Sequence, residues 1–264
     1  MQFETILLEK KDAVATITLN RPHALNSLTA QSLTELIAAF KDLRADRSIR
    51  VVVLRGAGTS FCTGLDLKDM GQLIEGGADE IFVEKMRQGL YILELIETMD
   101  KPVVAAVQGY AITGGFWLAY ICDIIIAAED AQFQDTHARW GIVPGFDEAQ
   151  TLPRLVGIHR AKQLFFLSRR LSAREALEFG LVYKVVPNDQ LEAATQEVVD
   201  RLLSQSAASL RLIKAQINRG LKCDWATGSR VDWFTRQGQV SGDFITPEAV
   251  PRLRAFREKQ AKAD

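Results

Sequence analysis

The sequence predicts an α/β fold with mainly parallel strands, and three observations predict it. Short β-branched or alternating runs (AVATITL, IRVVVLRG, PVVAAVQG, IIIAAED) recur up to about residue 190. Segments with apolar residues at helical spacing lie between them. Beyond residue 190 the strand signals stop and the pattern is helical. Strands alternating with helices build a parallel sheet, because parallel neighbours need a crossover between them.

The elements follow in order. AVATITL alternates and is rich in Val, Ile and Thr, which marks a half-buried strand. NRPHALNS, with Pro22 and two asparagines, is a loop. Leu33, Leu36, Ile37, Phe40 and Leu43 share one face of an amphipathic helix. IRVVVLRGAG is a short buried strand ending in glycines, and FCTGLDLKDM is a loop that leads toward a helix. Residues 79–98 carry a long helical pattern through Ile81, Met86, Leu90, Ile92, Leu95 and Ile96. PVVAAVQG and IIIAAED are further buried strands on either side of ITGGFWLAY. The helical remainder comprises LEAATQEVVDRLL, AASLRLIKAQINRGL and a last segment that starts at Thr246 with Pro247 at its first position. The composition shift divides the chain into residues 1–190 and 191–264.

Composition narrows the function classes. The 264 residues are 47% hydrophobic, enough for one large core. The chain carries 32 basic and 33 acidic residues, so nothing in the bulk charge attracts nucleic acid. Cys62, Cys122 and Cys223 are odd in number and far apart, which argues against a disulfide framework or a zinc site and for a reducing compartment. The N-terminal segment lacks a secretory pattern and no apolar run reaches membrane-spanning length. The expectation is a cytoplasmic protein with no metal and no membrane partner.

One device occurs twice. VVVLRG leads to FCTGLDL, and VVAAVQG leads to AITGGFWL. Each is an apolar strand, a glycine-bearing turn and an apolar helix start. Helix starts expose backbone N–H groups, and glycine lets another backbone or a ligand approach closely. Two such starts facing each other would form an oxyanion hole. The other reading is that the glycines only make turns.

These stretches carry a family resemblance. NRPHALNSLT, FCTGLDLKDM, AVQGYAITGGFWLAYICDIIIAAEDAQF, GIVPG, LPRLVG and LSAREALEFGLVYKVVP occur in the order seen in the crotonase (enoyl-CoA hydratase/isomerase) superfamily, and they cover most of the chain to residue 187. The resemblance implies a crotonase-like spiral of strand-strand-helix repeats, with the acyl-CoA site in residues 1–190. It implies a helical trimerisation region in residues 191–264, and so a homo-oligomer, a trimer or a dimer of trimers. It also implies acyl-CoA thioester substrates, with coenzyme A as part of the substrate and no tightly bound cofactor. The oxyanion donors it implies are the N–H groups of Leu65, after Gly64, and of Gly114. Gly115 would add to the close approach of the thioester. Ala24, Asp66, Leu67, Lys68 and Trp140 join the substrate-binding set, and His23 is a loop residue at the cofactor entrance.

The chain departs from the hydratase pattern at the two glutamates that activate water and protonate the α-carbon. The first falls at Trp117 and the second at His137. Trp117 has only an N–H donor to offer, so it is either a wall of the acyl pocket or a core residue. His137 titrates near neutrality and is the candidate general base, or else a polar residue in a surface turn. Asp147 and Glu148, in GFDEAQ, would orient it or act directly as acid or base; alternatively they only begin a helix. Asp135 is a further candidate whose side chain is expected to point away from that of His137. Lys68 and the basic last helix (Arg252, Arg254, Arg257, Lys259) would pair phosphates or form a solvated face. Cys62 reads as structural.

Three functions stay open on the sequence. The first is a hydratase/isomerase-type enzyme that stabilises a thioester enolate with a non-standard acid–base set. The second is a hydrolase of a thioester or of a β-dicarbonyl C–C bond, using His137 with Asp147 or Glu148. The third is a catalytically silent acyl-CoA binder.

Overall fold

The computed structural model describes residues 2–68, 79–230 and 248–260. Strand β1 (Ile6–Lys11) turns back through Asp12, in the left-handed region at φ 53°, into β2 (Val14–Leu19). Helix α1 (Ala30–Ala45) starts at Thr29, whose side chain accepts the Ser32 N–H while Ser32 caps in return. This reciprocal pair satisfies two amides that the first turn leaves free. Strand β3 (Val51–Gly56) and helix α2 (Asp79–Glu97) follow.

Two strand-strand-helix turns come next. The first is β4 (Val103–Val107), β5 (Tyr110–Ile112) and α3 (Gly114–Tyr120). The second is β6 (Ile124–Ala128), β7 (Gln132–Gln134) and α4 (His137–Trp140). Each turn places one strand in each of two sheets. The larger sheet has the order β1-β2-β3-β4-β6-β9, where β9 is Lys184–Val186, and it is parallel from β2 onward. The smaller is β5-β7-β8, with β8 at Leu171–Ser172. The expected parallel α/β spiral is therefore present. The small sheet escaped the sequence reading because strands of two or three residues leave no periodicity to detect.

The remaining helices are α5 (Glu148–Val156), α6 (Ile158–Leu167), α7 (Ala173–Glu178), α8 (Leu191–Ser204), α9 (Ala207–Gly220) and α10 (Ala249–Gln260). Thr246 and Pro247, expected to open the last helix, lie outside the described residues.

The main core runs from Ile6 to Val182 between sheet and helices and includes Phe40, Phe61, Trp117 and Phe133. A second core lies on the other sheet face, where Val51, Val53, Val104, Ile126 and Val186 meet Ala194, Val198 and Val199 of α8. Each such aliphatic side chain contributes about 1.5–3 kcal/mol on full burial. The composition shift near residue 190 thus coincides with the last strand but not with the edge of the packing. Helix α9 is tied in by Lys214, which donates to Asp123 Oδ2 at 2.6 Å and to Lys101 O at 3.0 Å. Among the described residues no helix is long and apolar enough to cross a membrane.

Candidate active site

The two elbows are stitched together by backbone. Phe61 N–H donates to Gln108 O at 2.8 Å, Cys62 N–H to Tyr110 O at 2.9 Å, and Ile112 N–H to Cys62 O at 2.9 Å. Cys62 therefore lies parallel to Ala111, beside β5. The chain then turns at Gly64, at φ 87°. A Cβ there would stand 2.8 Å from Ile112 O and 3.0 Å from Gly114 N, so glycine is required by both conformation and space. Leu28 N–H donates to Gly64 O and Asp66 N–H to Leu28 O, at 2.7 and 2.9 Å. Leu65 N–H, between them, has no acceptor among the described residues.

The second elbow pivots on Thr113, at φ 50° and ψ −107°. A threonine rarely adopts this backbone, and such strain persists only where the surroundings over-determine it. Here Thr113 N–H donates to Gln134 O at 2.7 Å, and its hydroxyl lies 2.6 Å from that of Thr136 and accepts the Thr136 N–H at 3.2 Å. The turn leads into Gly114, the first residue of α3. Its N–H also has no acceptor among the described residues.

A cavity of about 410 Å³ opens over these amides and is lined by both Leu65 and Gly114. Its inner wall holds Phe146 and Glu148, both buried, and its mouth holds Leu67, Trp140 and Val143, all exposed. His137 projects from α4 into the same cavity. Its ring Nδ1 lies 2.8 Å from Asp135 Oδ2, and its own N–H donates to Asp135 Oδ1 at 3.0 Å. Its Nε2 is 3.9 Å from Glu148 Oε1, too long for a direct hydrogen bond. Glu148 Oε2 accepts the Phe146 N–H at 2.6 Å. Asp135 and Glu148 are each 2% exposed.

Electrostatics follow from this geometry. Burial disfavours a charged His137, but the hydrogen bond and charge of Asp135, with the charge of Glu148, outweigh it and hold the imidazole above its ordinary value. Burial raises Glu148 above the usual carboxylate range, against the pull of His137 and of backbone hydrogen bonds. The pair therefore binds protons more readily than free side chains do. Burial pushes the Cys62 thiol up to about 12, as expected for a structural cysteine.

The structure brings Leu65, Gly114, His137, Glu148, Leu67 and Trp140 to one cavity. Several placements correct the sequence reading. Asp135, expected to point away, is the partner of His137, because an Asp side chain can turn back onto the amide two residues ahead. Asp147 is exposed at φ 62° and does not line the cavity; only Glu148 turns inward. Trp117 is fully buried behind the wall, with its ring on Phe146 at 4.7 Å between centroids. Its indole N–H has no partner among the described residues. Gly115 does not line the cavity: a Cβ there would lie 2.6 Å from the carbonyl carbon of Cys62, so it serves close packing of α3.

Ala24, Asp66 and Lys68 do not line the cavity. Asp66 is engaged by Arg21 and Ser27, and Lys68 is exposed. His23 is likewise exposed, outside the wall. The sequence reading missed Met86, Tyr110, Phe146 and Arg170, all on the wall. They come from distant segments and carry no local motif.

Two backbone amides without acceptors among the described residues and a carboxylate–imidazole pair thus line one cavity. A model of the enoyl-CoA hydratase/isomerase family matches residues 9–243, and the chain belongs to that family within the crotonase superfamily. It is 36% identical to a short-chain-enoyl-CoA hydratase of Clostridium acetobutylicum, over 98% of this chain and 97% of the relative. It is 39% identical to a crotonyl-CoA hydratase of Syntrophomonas wolfei, over 98% and 97%. The crystal structure of an enoyl-CoA hydratase from Bacillus anthracis superposes with a TM-score of 0.89 at 35% identity, covering 97% of each chain. The protein is an acyl-CoA enzyme of the hydratase/isomerase type.

Proposed function

We propose that this enzyme forms a thioester enolate held by the Leu65 and Gly114 amides, with His137 as its base and Glu148 as its acid. One observation carries the reading: His137 lies between two buried carboxylates on the wall of the cavity that both amides line. Asp135 holds the proton on Nδ1, which leaves the Nε2 lone pair for chemistry. In hydration, Nε2 takes a proton from water and the water oxygen bonds to the β-carbon. The double-bond electrons move onto the thioester oxygen between the two amides. Glu148, whose raised proton affinity favours the neutral acid, then protonates the α-carbon as the enolate collapses. Proton return from His137 to Glu148 closes the cycle. Ala24, Asp66 and Lys68 would receive coenzyme A outside the cavity. Exposed Ile213 and Ile217 on α9, with Leu221 just after its end, support self-association through residues 191–264.

The test is incubation of crotonyl-CoA in heavy-oxygen water, with mass spectrometry of all products. Labelled hydroxyacyl-CoA, abolished by His137→Ala, is the expected outcome. A second reading is favoured by the tight Asp135–His137 pair, which is also suited to activating water against a carbonyl carbon. Labelled free acid with released thiol would select that hydrolase. Tight thioester binding without any product would select a silent binder.

A further inference from the structure

Helix α2 carries Gly89 in its interior, where glycine weakens a helix. The structure gives the reason. A Cβ on Gly89 would stand 2.5 Å from Cδ1 of the Phe146 ring. On another side that ring packs on Trp117, and both aromatics are buried. Phe146 is thus clamped between a bare helix backbone and an indole, with no room to swing back. It also lines the cavity at its buried end, opposite the exposed mouth at Leu67, Trp140 and Val143.

We infer that the Gly89–Phe146–Trp117 clamp is the specificity-determining end of the acyl pocket and restricts it to short acyl chains. The inference rests on the acyl-thioester reading of the cavity. Tryptophan at position 117 supplies the rigid backing and glycine at position 89 the space, so the ring face of Phe146 fixes where an acyl chain must stop. Phe146 is at the same time a positioning residue, because its N–H holds Glu148 Oε2 at 2.6 Å. A chain long enough to press on the ring also disturbs the carboxyl group that faces His137. Length selection and proton transfer therefore share one side chain.

The test measures binding of butyryl-, hexanoyl- and decanoyl-CoA by calorimetry, which needs no turnover, and then kcat and KM on the matching enoyl thioesters. Phe146→Leu removes ring volume and should shift the butyryl-to-decanoyl affinity ratio about tenfold toward the longer chain. Gly89→Ala drives the ring into the cavity and should shift the butyryl-to-hexanoyl ratio the other way. The double variant Gly89→Ala/Phe146→Leu should return that ratio toward wild type. Circular dichroism and melting curves establish that each variant is folded. An unchanged ratio in folded Phe146→Leu, or a folded double variant that keeps the Gly89→Ala ratio, would overturn the inference. Chain-length-dependent binding without turnover would uphold the clamp while removing the catalytic reading.

Discussion

Asp135 grips His137 twice: one carboxylate oxygen takes the backbone N–H of His137 at 3.0 Å and the other lies 2.8 Å from ring Nδ1. A side chain that fixes both the backbone and the ring of its neighbour sets rotamer and tautomer together.

The first prediction follows from that grip. As a base, His137 works only when deprotonated, so activity rises with pH through its own value. Asp135 raises that value, and the acidic limb of the rate profile should lie above the usual histidine range. Asp135→Asn should move the limb to lower pH while kcat drops, because the wrong tautomer becomes available. His137→Ala should lose about 10²–10⁴-fold in kcat. A pH–rate profile of all three proteins checks both statements.

Gly64→Ala should abolish the anion seat. The new Cβ meets Ile112 O and Gly114 N and forces a positive φ on alanine. Misplacing one donor costs about 10²–10³-fold in kcat. The strain should also destabilise the fold by about 1–3 kcal/mol. Denaturant unfolding separates the two effects.

Thr136→Val removes the hydroxyl that meets Thr113 Oγ1. Thr113 keeps its amide contacts but loses one side-chain restraint on a strained backbone. Stability should fall by about 1 kcal/mol. The drop in kcat should exceed any rise in KM, since the aim of the Gly114 N–H matters most in the transition state.

Glu148→Gln should trade activity for stability. The proton affinity of Glu148 is raised by folding. Such a group contributes stability that is complete below the unfolded value, near 4.5, and is lost as pH rises through the folded value. His137, also raised, adds a second decline that starts above 6.5. Glutamine cannot ionise, so the variant should lose the Glu148 part of the decline, keep only the His137 part, and be more stable than wild type near neutrality. Melting temperatures across the range give the slope, and a variant that declines as steeply as wild type would contradict the assignment.

The elbows were legible in the sequence because they are made of backbone. Gly64 and Gly114 mark where chains must touch, and the strands around them are continuous apolar runs. The acid–base set was only half legible. His137 stood at a recognisable position, but Asp135 was only a further candidate, because its side chain was expected to point away from that of His137. A local hydrogen bond from His137 N–H overrides that, and the Asp-x-His spacing was the signal that could have found it. Asp147 and Glu148 could not be told apart, since which neighbour faces inward depends on the left-handed backbone at Asp147. Phe146 was invisible as a wall, because its role depends on Gly89 and Trp117 arriving from two other segments.

Helix α3 rests on the peptide of Cys62, with Gly115 admitting backbone against backbone. Backbone packs directly on backbone here, so close packing and the backbone hydrogen bonds between the elbows set the spacing of their amides. That spacing is a digital property. Exchanges among core side chains leave it intact, and a single added carbon at position 64 or 115 destroys it. Sequence drift can therefore change the side chains around the elbows without moving their amides, and this chain, with Trp117 and His137 where the family resemblance implies glutamates, keeps both elbows.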